Sequence, residues 1–211
     1  RPGSSTSDQT ASPAGIQLGA GVRTGGVYRI NEQGALQQTG NPYDVAIEGR
    51  GYFQVTLPGG ETAYTRDGAF QLSDQGELVT QDGYPLQPGI TIPQGATSVA
   101  ISKTGLVQAV MAGDPQPQTL GQLQLATFMN ESGLEAKGGN LFLETSASGQ
   151  PVTAQPGEPG FGLLTQNFIE GANVNPVSEI TALITAQRAY EMNSRVVKTA
   201  DEMLATTSQL R

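Results

Sequence analysis

Carboxylates are scattered along the stretch between residues 44 and 82, among them Asp44, Glu48, Asp67, Asp74, Glu77 and Asp82. Two of them meeting across a sheet would make the acid pair of a glycosidase. Their neighbours argue otherwise. Asp67-Gly68, Asp82-Gly83 and Asp74-Gln75-Gly76 are turn sequences, in which the side chain bonds to its own backbone. Ser102-Lys103 is no nucleophile and base, because adjacent residues of a strand face opposite ways. Ser194-Arg195 is no better placed. Asp74-Gln75-Gly76-Glu77 lacks the alternating ligands and late glutamate of a calcium loop, and Gly49-Arg50-Gly51 lacks the third glycine and following helix of a phosphate loop. There is no histidine and no cysteine. The usual general base, the commonest transition-metal ligand and the thiolate nucleophile are therefore missing. The expectation is a protein with no catalytic residues, no metal and no cofactor.

The pattern that remains lies at the end of the chain. After Pro176 there is no further proline or glycine up to Arg211. Asn175 suits a helix cap, and Pro176 sits where a first helical residue tolerates a missing N–H. Apolar pairs then recur every seven positions: Ala182-Leu183, Ala189-Tyr190, Val196-Val197, Met203-Leu204, and finally Leu210. A heptad period held this long marks a helix lying along another helix. About 35 helical residues would reach ~52 Å, more than a domain of this size is wide. The predicted contact face is Ile180, Leu183, Ala186, Tyr190, Val196, Val197, Met203, Leu204 and Leu210. Arg188, Glu191 and Arg195 flank it as charges that could set a neighbour's register, and Glu191 precedes Arg195 by four residues, the favourable order. The alternative is a seam against the rest of the same chain, which a helix of this length would overhang. No second helix of comparable length is predicted, so the partner is expected elsewhere.

The elements ahead of the helix are short. Residues 1–15 are polar and carry two prolines, and 16–40 hold sparse apolar residues among glycines. Residues 1–42 are thus expected to be an extended limb. From Tyr43 the residues alternate, Tyr43, Val45 and Ile47 against Asp44, Ala46 and Glu48, as in a half-buried strand. Turns recur at Pro58-Gly59-Gly60, Asp67-Gly68 (read as a tight hairpin), Asp74-Gln75-Gly76 and Asp82-Gly83. Roughly ten strands are expected over 43–130, with Tyr43, Ile47, Phe53, Val55, Phe70, Leu72, Ile92, Ile101, Leu123, Leu125 and Phe128 in the core and Asp114-Pro115-Gln116-Pro117 as a loop. Residues 131–175 lose the alternation and read as a second extended limb. The fold class is mainly β: a central antiparallel β domain (small barrel or sandwich) at 43–130, two extended limbs, and a long C-terminal helix at 176–211.

Several separate stretches resemble one family. Gln187-Arg188-Ala189-Tyr190-Glu191-Met192-Asn193-Ser194-Arg195, preceded by Glu170-Gly171-Ala172-Asn173-Val174-Asn175, is similar to the C-terminal signature of the bacterial flagellar rod and hook axial proteins. Thr39-Gly40-Asn41 followed by Asp44-x-Ala46-Ile47-x-Gly49-x-Gly51-Tyr52-Phe53 resembles the entry to their β domain. Tyr64-Thr65-Arg66-Asp67-Gly68-x-Phe70 and Gly139-Asn140-Leu141-Phe142 also match. The stretch Ile16-Gln17-Leu18-Gly19-x-Gly21-Val22-Arg23, with its lead-in, most resembles the distal rod members. Two departures are Ala172, where serine is usual, and Asn167, where glycine is common.

The resemblance implies a structural subunit of the distal rod, a helical tube that carries motor torque across the periplasm to the hook. It implies an inner layer of paired terminal helices, of which the N-terminal one is expected to precede Arg1, and export without a cleaved signal. The implied partners are other copies of the chain, other rod proteins, the hook protein and the surrounding rings. Within the family, the alternatives are a proximal rod or short hook protein. Outside it, the alternative is a secreted glycan-binding β module with a helical oligomerisation stalk; the lack of tryptophan weakens a sugar platform. The 19 acidic and 11 basic residues, with no basic cluster, argue against nucleic acid, and no apolar run suits membrane insertion.

Overall fold

The computed structural model describes residues 31–209, together with the backbone of two short strands before them, β1 (Ser5–Ser7) and β2 (Thr10–Ala11), which pair antiparallel. The stretch Ile16 to Arg23, most of the expected N-terminal limb, and Leu210 lie outside the described residues. The main run of strands starts with β3 (Leu36–Gln38), β4 (Val45–Glu48), β5 (Phe53–Thr56), β6 (Thr62–Thr65), β7 (Phe70–Leu72), β8 (Leu78–Thr80) and β9 (Leu86–Gln87). Next come β10 (Ala96–Ile101), β11 (Leu106–Met111), β12 (Asp114–Gln122) and β13 (Leu125–Thr127). After a 3-10 turn at Glu131–Gly133 follow β14 (Glu135–Gly138), β15 (Leu141–Leu143), β16 (Val152–Ala154), β17 (Leu163–Gln166) and β18 (Phe168–Glu170). A single long helix, α1 (Pro176–Gln209), ends the described chain. The fold is mainly β with that one helix. Its sheets are small and antiparallel, and none closes into a barrel among the described residues.

The largest sheet has the order β14-β15-β6-β5-β9, and a three-stranded sheet runs β10-β11-β12. Side chains from both pack into one core. Val45, Ile47, Phe53, Val55, Phe70, Leu78, Leu86, Ile92, Ile101, Val107, Leu123, Leu125 and Leu164 are all buried in it. Tyr43 and Leu72, expected inside, pack against it half-buried. Alternation located many of these positions, as in β5, where Phe53 and Val55 are buried and Gln54 and Thr56 half-buried, while β4 buries Val45, Ala46 and Ile47 alike. A smaller cluster of Tyr52, Tyr64, Ala126, Phe128 and Leu134 sits apart, with Tyr64 and Phe128 edge to face at 4.7 Å.

The turn chemistry is partly local and partly not. Asp74-Gln75-Gly76 does close the β7–β8 hairpin, with Gly76 at φ +80 and its N–H on the Ser73 carbonyl. Asp67-Gly68 does not make a hairpin. β6 pairs with β5 and β15, while β7 pairs with β8, so the chain crosses between sheets there. Gly68 is needed for closeness rather than for a left-handed backbone: a Cβ on it would strike the Val45 carbonyl oxygen. Asp114-Pro115-Gln116-Pro117, expected as a loop, opens β12. β12 is an edge strand, and an edge tolerates prolines because the ladder needs no N–H on the open side.

Residues expected in the return limb divide. β14 and β15 join the sheet of β6 and β5, and β16 pairs with β13. The later residues form a ribbon: β17 pairs with β4, and β18 with β3. Gln166 ties this ribbon to β10, its Nε2 donating to Val99 O and its Oε1 accepting the Ile101 N–H, both at 3.0 Å. The alternation of 141–143 is too short to show a strand by itself; pairing with Tyr64 and Thr65 makes it one.

Between β17 and β18 the chain kinks at Asn167, at φ +62. Its N–H donates to Asp44 O and its carbonyl accepts the Thr39 N–H, both at 2.7 Å. Asparagine tolerates this left-handed conformation better than most residues, which accounts for its standing where glycine is common. Asn167→Gly is expected to unfold within a few tenths of a kcal/mol of the parent. Asn167→Val keeps both backbone bonds yet is expected to lose about 1–2 kcal/mol in urea denaturation, because a branched Cβ crowds its carbonyl there.

Burial pushes the Tyr64 phenol above its ordinary 10.0, with the Glu144 carboxylate adding to the shift. The folded chain therefore holds Tyr64 neutral at a pH where the unfolded chain ionises it. That contribution is intact below pH 10 and drains away above it. Tyr64→Phe is expected to lose less stability than the parent between neutral pH and strongly alkaline solution, as read from paired denaturation curves.

Candidate functional site

α1 is built locally. The Asn175 side chain accepts the Val177 N–H at 3.0 Å, and its carbonyl accepts the Glu179 N–H at 3.2 Å. Pro176 opens the first turn, and Glu179 puts a negative charge beside the positive end of the helix dipole. Thr181 and Thr185 donate their hydroxyls to the carbonyls of Val177 and Thr181, both at 2.8 Å. Across 34 residues the helix is about 51 Å long.

Those of its residues whose burial is described are exposed along the whole length. Leu183 is 68% exposed, Tyr190 76% and Val197 61%. Ile180, Ala186, Val196 and Met203 are exposed too. Leu204 lies within α1, and its side chain is outside the described set, as is Leu210. The sequence reading left out Val177, Ile184 and Met192, which are also large, apolar and exposed. Val177 and Ile184 join the predicted Ile180 at i, i+3 and i+7, a helical spacing. At ~100° per residue this short stripe lies roughly a quarter-turn from Leu183. Of the flanking charges, Arg188, Glu191 and Arg195 are exposed. Glu191 accepts from Gln187 Nε2 at 3.3 Å, and no ion pair joins it to Arg195 among the described residues.

The scattered carboxylates are placed differently. Asp44 is buried and accepts from Asn41 Nδ2 at 2.8 Å. Asp67 and Asp82 share a shallow pocket of about 180 Å³ with Thr65, Asn140 and Leu141. Asp67 is engaged there, taking the Ala69 N–H at 3.1 Å and Asn140 Nδ2 at 3.2 Å. Glu48, Asp74 and Glu77 do not line it.

A β body that carries a long, firmly capped helix with its oily face bare is a structural subunit, made to act by association. Two family models match the chain: "Flagellar hook protein FlgE/F/G D1 domain" over residues 46–109, and "Flagellar basal body rod FlgEFG protein C-terminal" over residues 165–210. The chain is 63% identical over 207 residues to the flagellar basal-body rod protein FlgG of Caulobacter vibrioides, covering 98% of this chain and 79% of that one. It is 49% identical over 208 residues to FlgG of Buchnera aphidicola from Acyrthosiphon pisum, covering 99% and 80%. Against FlgF of the same Caulobacter the identity is 38% over 188 residues, covering 84% and 69%. The chain belongs to the flagellar basal-body rod protein family.

Proposed function

We propose that this chain is a subunit of the flagellar distal rod, polymerising into a helical tube that passes motor torque to the hook. The observation that carries the reading is the apolar face of α1, whose Leu183, Tyr190 and Val197 the fold leaves exposed and which neighbours would cover. The preference for FlgG of Caulobacter vibrioides over FlgF of the same organism, 63% against 38%, favours the distal subunit over other rod proteins.

In this reading residues 176–211 form part of the inner helical layer, packed as in a coiled coil. Residues 1–42 and the later part of 131–175 make the limbs, and 43–130 the outer β domain. Ile180, Leu183, Ala186, Tyr190, Val196, Val197, Met203, Leu204 and Leu210 contact other copies, while Arg188, Glu191 and Arg195 fix their register. Head-to-tail contacts that do not close into a ring generate such a filament. Other rod proteins and the hook protein join at the tube's ends, the rings surround it, and it spans the periplasm after export without a cleaved signal. Electron microscopy of the full-length protein under assembly conditions tests this directly. Tubes of constant diameter are the expected image. A solution that stays monomeric as concentration rises overturns the reading.

A further inference from the structure

One side-chain pair holds together parts of the chain that sequence separates widely. Arg66, just past β6, donates from Nε to Glu170 Oε2 in β18 at 2.9 Å, and its Nη2 lies 2.9 Å from the same oxygen in an ion pair. Its Nη1 also donates to the carbonyls of Gly49 and Gly51, both at 3.1 Å. The second Glu170 oxygen, Oε1, accepts the Gly34 N–H at 2.8 Å. The guanidinium lies 5.9 Å from the centre of the Tyr52 ring. Both side chains are largely covered, at 22% and 11% exposure. Gly34 itself lies so close to the other limb that a Cβ would strike the Gly171 carbonyl oxygen.

The ribbon this pair grips is weak by itself. β3 and β18 pair at three positions, and neither strand contains a buried residue. Two strands with so little burial are marginal in water. Yet this ribbon is what leads into α1, which starts at Pro176, a few residues beyond Glu170.

We propose that Arg66 and Glu170 form the lock of a joint that fixes the β body to the β3–β18 ribbon, and through it sets the direction in which α1 leaves. Without the lock the body stays folded and the ribbon becomes a hinge. Arg66 suits the task because its planar fork reaches a carboxylate and two carbonyls at once, which a lysine ammonium cannot do in the same plane. The purpose of the joint rests on the rod reading, since a shaft needs subunits that do not bend at their stems; its existence does not.

Hydrogen exchange on the full-length protein, kept monomeric, tests it. Glu170→Ala frees the ribbon side while leaving Arg66 on the carbonyls of Gly49 and Gly51. The expected result is exchange faster by about ten- to a hundredfold at Gly34, Leu36 to Gln38 and Phe168 to Glu170, with Phe53, Val55 and Tyr64 unchanged. Arg66→Lys is expected to show the same local pattern. Unchanged protection of the ribbon in Glu170→Ala overturns the proposal. So does a uniform rise across β5 and β6, which would make the pair a general stabiliser, and so does full protection in Arg66→Lys, which would make any cation sufficient. Assembly into tubes is not read in this experiment, so failure of the joint and failure of the rod reading give different results.

Discussion

Leu183→Asp and Val197→Asp, placed singly in the full-length protein, are expected to leave subunits that unfold at the parental midpoint and do not enter rods. In the single subunit Leu183 is 68% exposed and Val197 61%, so a carboxylate there meets water and changes stability by no more than about 0.5 kcal/mol. In an assembled seam the same carboxylate forfeits the ~1.5–3 kcal/mol that covering Leu or Val supplies. It also leaves a charge short of water, at several kcal/mol more. Each subunit added to the tube repeats that penalty, so the loss is close to complete rather than graded. Denaturation curves read the first half of the result, and electron microscopy and swimming assays the second. Normal rods and normal swimming in both variants would mean that these residues face no neighbour.

Phe53→Ala is expected to do the reverse, striking the body and sparing the helix. Phe53 is 0% exposed in β5, and its ring meets Phe70 edge to face at 5.0 Å. Truncation removes the transfer free energy of the ring and opens a cavity, together about 3–5 kcal/mol. It also loses an aromatic pair worth ~0.5–1.5 kcal/mol. Gly68 is wedged between this ring and the Val45 backbone carbonyl, so the backbone there cannot close the space cheaply. A urea midpoint that hardly moves would show that the core collapses around the gap. A helix signal at 222 nm that persists where the β body has melted would show that α1 forms without it.

Much of the assembly surface was legible because its signals are local. Asn175 and Pro176 mark the start of α1 by cap chemistry that needs no tertiary partner. The seven-residue spacing of Leu183, Tyr190 and Val197 picks out residues that the fold leaves bare. Val177 and Ile184, which join Ile180 in a stripe at helical spacing, were equally local signals that the predicted face left out. Nothing local distinguishes Arg66 or Glu170 from other charges. Their roles exist only once β6 and β18 are brought together across 104 residues of sequence.

The sequence by itself settled the membership of this chain, the helix and its cap, the turn at Gly76 and most of the core positions. Each of these depends on residue identity at short range or on a period of two or seven. The tertiary structure decided which strands became neighbours: that β6 and β7 part at Gly68, that β14 and β15 enter the main sheet, and that β12 forms with its prolines at an edge. The reason is that a strand's backbone bonds are all made to other segments. Its residues state that it wants a partner, and only the packed core selects which one.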